Sequence, residues 1–478
     1  MSSVELVQQF LLQIKQHDPY LKAVLAISPV ALEEARRLDV ERQEGKIRGP
    51  LHGIPIIIKD NIATDPRLGM DTTAGSFALV DSKPKQNAEV IEKLIKSGAI
   101  ILAKTNLSEF AFYKGTGLPS GWSALGGQTQ SAYTRGDVIR GDGFLGHSSP
   151  AGSSSGSAVG VSAGYAPISL GTDTTGSVVL PATRAALYAL RLTQETAPMK
   201  GIIPISNSFD SLGPMAKCVQ DLANVLDVII DPSTSGVPAE GFNSSLPQSW
   251  SKLRVGVLDP EVWYLTARSC KPNQKAHAQM VRETKAAYDK IRTLALSFKE
   301  VKLLNPDEVT QEDGKGLTEL FEADFRNDIN SYLFDLETSN IRSLASILEF
   351  NQKARERELP PDYPQQDLLV NAQNNNLTSE ERDSIFEAVR RISRKQAIDE
   401  TLETNKIDVI VGPADSSFSL LACASGYPSA VMPLSYLDFN GRPFGLFALT
   451  SAHGEHLLLQ VLSAFEHTFP ERKPPSCF

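Results

Sequence analysis

Two stretches rich in glycine and serine carry the residues best suited to covalent chemistry. Gly152-Ser153-Ser154-Ser155-Gly156-Ser157 and Gly171-Thr172-Asp173-Thr174-Thr175-Gly176-Ser177 both fall between Gly141 and Ser177. Glycine lets a backbone turn where a side chain would clash, and it lets a ligand approach N–H groups. Serine supplies a hydroxyl that can relay a proton or attack a carbonyl. Between the two stretches, Ser157 to Gly164 reads as a helix of small residues. The pair therefore reads as a catalytic floor carried on ordered elements, unlike a linker.

Several chemistries compete for these loops. Gly171 to Ser177 comes close to a phosphate-binding loop, but that loop needs a lysine after its second glycine; here Ser177 and Val178 follow Gly176. Gly152-Ser153-Ser154-Ser155-Gly156 has the glycine–serine spacing of a nucleophile elbow centred on Ser154. An elbow needs a strand directly before it, and Gly146-His147-Ser148-Ser149-Pro150-Ala151 reads as loop. Ser82-Lys83-Pro84-Lys85 has serine–lysine spacing in a polar, charged segment that reads as a solvated turn. The seven histidines form no metal motif of known spacing and read as surface or packing residues. Lysine is left as a base. Lys59 directly follows Ile54-Pro55-Ile56-Ile57-Ile58. A lysine at the end of a buried strand loses hydration, which disfavours its charged form and lets it accept a proton near neutral pH. An ion pair with Asp60 or another carboxylate is the competing reading, and residue type alone leaves both open.

The elements that must hold these residues follow an α/β pattern. Apolar spacing predicts helices over Ser3–Gln16, Val30–Glu44, Ala88–Lys96 and Val219–Ile230. Strands are expected over Ile54–Lys59, Ala99–Ala103 and Lys252–Leu258 and near Ile168, with strand–helix alternation continuing through Leu190. From about Pro260 to Asn405 the chain turns to long, charged helical periodicity; strands then return at Ile407–Val411 and Ser429–Leu434, before a last helix at Glu455–His467. The fold expected is a mixed, largely parallel central sheet covered by helices: a single domain over 1–478 with a variable helical region at 260–405.

Composition narrows the class. With 41% hydrophobic and 22% charged residues, the 478-residue chain can bury a sizeable core. A net charge of −9 and no basic patch argue against nucleic acid or an anionic membrane as the main partner. The four cysteines, Cys218, Cys270, Cys423 and Cys477, form no disulfide framework. No signal segment is read at Met1-Ser2-Ser3-Val4, and the apolar runs are too short to span a bilayer. A cytoplasmic location is the expectation.

Seven blocks, in order, resemble the amidase signature family. They are Leu51 to Asn61 around Lys59, Lys104-Thr105-Asn106-Leu107-Ser108-Glu109-Phe110, Ala151 to Ala158, Gly171 to Ser177, Ser208 to Met215, Gly426-Tyr427-Pro428, and Pro443-Phe444-Gly445-Leu446. The resemblance covers most of the chain and is slight in 260–405. It implies a Ser-cisSer-Lys triad: Ser177 as nucleophile, Ser153 as proton relay beside a non-proline cis peptide, and Lys59 as base. It implies an oxyanion hole of backbone N–H groups at Thr174, Thr175, Gly176 and Ser177, with Ser154 and Asp173 in support. Asp173 is either a brace for the loop or a plain turn residue. No metal or organic cofactor is implied. The expected partner is a small-molecule amide, with a homodimer left open.

Two departures stand in the nucleophile block. Thr175 replaces a glycine and Val179 an arginine, a pattern similar to fungal variants; Arg191-Leu192-Thr193 also replaces a common Lys-Pro-Thr. The segment Gln130 to Gly146 either lines the pocket or is a solvated loop. The implied activity is amide hydrolysis through an acyl-enzyme. Acyl transfer or amide formation on the same intermediate and a non-catalytic scaffold are the alternatives, and a role within a tRNA-dependent amidotransferase is disfavoured by the acidic charge.

Overall fold

In the computed structural model, which describes residues 1–306, 311–312 and 314–476, one eleven-stranded sheet organises the chain. Its strands are β1 (Val24–Ile27), β2 (Pro55–Lys59), β3 (Ile100–Thr105), β4 (Ile168–Asp173), β5 (Tyr188–Arg191), β6 (Ser211–Ala216), β7 (Arg254–Val257), β8 (Ser297–Glu300), β9 (Val409–Pro413), β10 (Ser429–Tyr436) and β11 (Pro443–Leu449). Their order is β1-β3-β2-β4-β6-β5-β10-β11-β9-β7-β8.

The sheet is mixed, as expected. β3, β2 and β4 run parallel to one another, as do β9, β7 and β8. Between these flanks, β4, β6, β5, β10, β11 and β9 pair antiparallel. The centre is thus less parallel than the expectation, because β6 and β11 carry no strand signal in the sequence. β2 to β6 are buried along their whole length. Helices cover both faces, and two large hydrophobic clusters fill the layers, one with Ile57, Phe418 and Phe447, the other with Ile58, Leu446 and Phe465. Parallel strands buried on both faces read as continuous β-branched runs, and Pro55-Ile56-Ile57-Ile58 is such a run.

Without β1, the strand order reads the same from both ends: β3-β2-β4-β6-β5 faces β10-β11-β9-β7-β8. A pseudo-twofold axis passes between β5 and β10, where Leu190 pairs with Ala430, flanked by Arg191 with Ser429 and Ala189 with Val431. It relates β4 and its following turn and helix, Val179–Arg184, to β9 and its turn and helix, Ser419–Ser425. Corresponding residues are 240 positions apart, so Ser177 corresponds to Ser417. The sequence shows no repeat here, since few side chains match.

The region 260–405 carries the expected long helices, including Gln274–Leu294, Leu317–Asp335 and Ser379–Arg391. It also contributes β8 to the sheet edge. Cys218, Cys270 and Cys423 are free thiols; Cys477 lies outside the described residues. Among the described residues no helix is long and apolar enough to cross a membrane.

A buried ion triplet joins the two halves. Asp415, in the second turn, takes Arg184 from the first helix at 2.6 Å and Arg442 at 2.9 Å. All three side chains are at most 6% exposed. Burial raises the Asp415 carboxyl, but the two guanidinium groups outweigh it and bring it down to about 2. Removing one partner of a buried ion pair costs about 3–5 kcal/mol, because the remaining charge is left uncompensated. Asp415→Asn is expected to lower the unfolding free energy by that amount in urea titration, with an unchanged m-value.

Candidate active site

Lys59 closes β2 with no exposed surface. Its Nζ donates to Ser153 Oγ at 2.6 Å, to Thr172 Oγ1 at 2.8 Å and to the Thr172 carbonyl at 3.1 Å. Parallel pairing of β2 with β4 sets this geometry: Ile58 lies beside Leu170, so the next residues place Lys59 next to the end of β4. Asn61 Nδ2 donates to Thr172 Oγ1 at 3.1 Å and fixes that hydroxyl. Desolvation lowers the Lys59 pKa to about 7, against the pull of the Asp173 and Asp210 carboxylates in the other direction. Asp60 is not paired with Lys59. Its carboxylate accepts from Thr73 and Gly75 and lies 3.9 Å from Lys104 on β3.

Ser153 is equally buried. Ser108, from the second sequence block, holds its loop: Ser108 N donates to Ser153 O at 3.1 Å and Ser108 Oγ to Gly152 O at 3.0 Å. The turn is made by Ala151 and Gly152, with φ of 59° and 58°. A Cβ on Gly152 would stand 2.3 Å from Pro181 Cδ, so this loop passes against the helix after Ser177 only as glycine. The described residues contain no cis peptide bond. This corrects the cis linkage expected beside Ser153; the left-handed pair Ala151–Gly152 makes the reversal instead. Ser154 N donates to Ser177 O at 3.0 Å and Ser154 Oγ to Thr172 O at 3.1 Å, so Ser154 ties the two loops together.

Asp173 braces the second loop from within. Its carboxylate accepts from Gly176 N and Val178 N at 2.7 Å each and from Val179 N at 3.4 Å, with Arg191 Nε at 3.4 Å. The Gly176 amide, expected in the oxyanion hole, thus has Asp173 as its acceptor in this structure. The amides of Thr174, Thr175 and Ser177 have no protein acceptor among the described residues. Thr174 is anchored through Oγ1 to Asp210 Oδ1 at 2.5 Å, and the amides of Ile205 and Ser206 hold Asp210 in turn. Burial lifts the Asp210 carboxyl to about 6.

Ser153, Ser177 and residues Thr174 to Gly176 line one cavity of about 320 Å³. Lys59 sits beneath it, behind Ser153. Ser177 is half-buried, and no hydrogen bond joins its Oγ to Ser153 Oγ among the described residues. Phe112, Tyr113, Phe144 and Phe321 make much of the wall, and no charged residue lines it. Three larger clefts, of about 650, 500 and 420 Å³, hold none of these residues. The segment 130–146 is no free loop: Phe144 and Leu145 line the cavity, and Arg184 donates to the carbonyls of Leu145 and Gly146 at 2.9 and 2.7 Å. The variable region contributes Leu265, Thr318, Phe321 and Leu368. Residue type alone leaves Thr172, Asn61, Asp210 and Ser108 unassigned, although all four stand inside blocks that carry the family resemblance. No cluster of three or more His, Cys, Asp or Glu that could hold a metal ion occurs among the described residues.

The family model for amidase matches residues 5–440. The chain is 32% identical to a probable amidase of Arabidopsis thaliana, over 99% of this chain and 88% of that one. A glutamyl-tRNA(Gln) amidotransferase subunit of Chloroflexus aurantiacus is 38% identical over 54% of this chain and 50% of its own length. Among solved structures, the native peptide amidase of Stenotrophomonas maltophilia superposes with a TM-score of 0.86 at 33% identity, covering 99% of this chain and 95% of that one. The chain belongs to the amidase family.

Proposed function

We propose that the protein hydrolyses uncharged small-molecule amides through an acyl-enzyme on Ser177, with Ser153 as relay and Lys59 as base. The observation that carries this reading is the 2.6 Å hydrogen bond from a buried lysine of pKa about 7 to a serine that shares a cavity with Ser177. A lysine with a substantial neutral fraction near pH 7 can take a proton, whereas an ordinary lysine cannot.

Neutral Lys59 accepts the Ser153 proton as Ser153 Oγ accepts the proton of Ser177. Ser177 Oγ bonds to the amide carbon, and the carbonyl electrons move onto oxygen. Binding of substrate closes the remaining gap between the two hydroxyls, a tightening that catalytic hydrogen bonds commonly show on going from free to bound enzyme. The amides of Thr174, Thr175 and Ser177 face the developing oxyanion; each such donor is worth about 10²–10³ in rate. Ser153 then returns a proton to the leaving nitrogen, which departs as ammonia or an amine. Water, deprotonated along the same relay, attacks the acyl carbon and releases the carboxylate and Ser177.

The Stenotrophomonas maltophilia relative is named for peptides, and the uncharged, aromatic cavity suits a neutral amide of that size. A tRNA-linked role draws no support from the amidotransferase match, which is confined to about half of each chain.

Ser177→Ala is expected to abolish labelling by a fluorophosphonate probe and to lower amide hydrolysis by about 10⁴-fold or more. Undiminished labelling assigns the nucleophile elsewhere. Because the base must be neutral, kcat/KM is expected to rise with pH along an acid limb with a midpoint near 7 and to fall below it. A pH profile flat between 5 and 8 removes Lys59 from the proton path.

A further inference from the structure

The pseudo-twofold axis places a second serine turn in the same cavity. Ser416, Ser417, Ser419 and Leu420 line it together with Thr174 to Ser177. The two turns touch: Ser419 Oγ donates to the Thr175 carbonyl at 3.2 Å, and a Cβ on Gly176 would come 2.8 Å from Ser419 Oγ. Ser417 occupies the place of Ser177, half-buried in the same way.

The second turn lacks the proton path. β7 lies beside β9 as β2 lies beside β4, and Val257 pairs with Val411. Val257 therefore stands where Lys59 stands in the first half, Gly412 replaces Thr172 and Pro413 replaces Asp173. With no base behind it, the Ser417 hydroxyl stays a neutral donor and acceptor. The neighbouring hydroxyls are spent within the protein: Ser416 Oγ donates to Pro413 O at 2.7 Å and Ser419 Oγ to Thr175 O. Ser417 Oγ makes no hydrogen bond among the described residues.

We propose that Ser417 is a substrate-binding residue that hydrogen-bonds a second, uncharged carbonyl on the amide substrate, across the cavity from the bond that Ser177 attacks. This rests on the catalytic reading of Ser177 and names the substrate class: amides carrying another neutral amide group and an apolar side chain. The partner group is neutral because no charged residue lines the cavity. The nearby charges are committed, Asp415 to Arg184 and Arg442, and Asp173 to the loop amides. A carboxylate or ammonium entering here would be buried without a counter-ion, at a cost a neutral carbonyl avoids.

The test compares N-acetylphenylalaninamide with 3-phenylpropanamide, which keeps the ring and the amide but lacks the acetamido carbonyl. Both hydrolysis and protection of Ser177 from fluorophosphonate labelling are measured, so the comparison does not depend on turnover. The preference for N-acetylphenylalaninamide is expected to fall about three- to tenfold in Ser417→Ala, the usual value of one hydrogen bond, and to return in Ser417→Thr. A preference unchanged in Ser417→Ala, protection by neither amide, or labelling of Ser417 itself overturns the proposal. Absence of labelling at Ser177 in the unsubstituted protein overturns the catalytic reading instead.

Discussion

The hydration that Lys59 loses on folding is the constraint on which the site depends. Its strand is buried along its whole length, and its ammonium nitrogen meets only hydroxyls and a carbonyl within hydrogen-bond reach. No carboxylate touches it; Asp173 and Asp210 act on it only through their fields. A direct ion pair would hold the lysine charged and useless as a base. Hydroxyl partners solvate the amine in either protonation state, so Thr172 and Asn61 belong to the device as much as Ser153 does. The arrangement has a cost in stability. A lysine with an ordinary value near 10.5 in the unfolded chain and about 7 in the fold carries about 5 kcal/mol of unfavourable linkage. The sign follows from proton counting: between these two values the unfolded chain binds more protons, so this site's contribution to stability rises with pH across that window.

Both the cost and the chemistry fall on one side of a nearly symmetric sheet. The two halves share strand order, the strand–turn–helix unit and even a serine at the tip of the turn. They differ at single positions with large electrostatic consequences. Val257 in place of Lys59 removes the proposed base, and Asp415, in the place of Thr175, faces two arginines. The second half thus serves as clamp and wall. Arg184 links the Asp415 triplet to the carbonyls of Leu145 and Gly146, so the loop over the cavity is fixed by the same charges that join the halves.

The parts of this legible in the sequence are those with a local signature. Lys59 after a β-branched run, the small-residue helix before β4 and the two glycine–serine loops all announce themselves by residue type. β6 and β11 do not. Ser211-Leu212-Gly213-Pro214-Met215-Ala216 and Pro443-Phe444-Gly445-Leu446 combine glycine and proline, which lower strand propensity; these strands persist because both neighbours pair with them across the buried centre. The cavity-facing segment 130–146 reads as an isolated polar stretch because its anchor, Arg184, binds it from a position that no local pattern reveals. Likewise, the reach of Asp173 back to the amide of Gly176 in its own turn is hidden from residue type.

The two departures in the nucleophile block are physically compatible with a working loop. Thr175 replaces a glycine without strain because the left-handed residue of this turn is its neighbour: Gly176 has φ of 113°, and Thr175 is not among the residues of positive φ. The Cβ clash is likewise a property of position 176, where Leu180 and Ser419 crowd the turn. Val179 replaces an arginine at a fully buried position in the core. The anion that an arginine there could have answered, Asp173, is already satisfied by the amides of Gly176, Val178 and Val179 and by Arg191. An apolar side chain at 179 therefore leaves no buried charge unpaired. The cavity side of the loop carries no charged residue either, so an anion buried there would have no counter-ion.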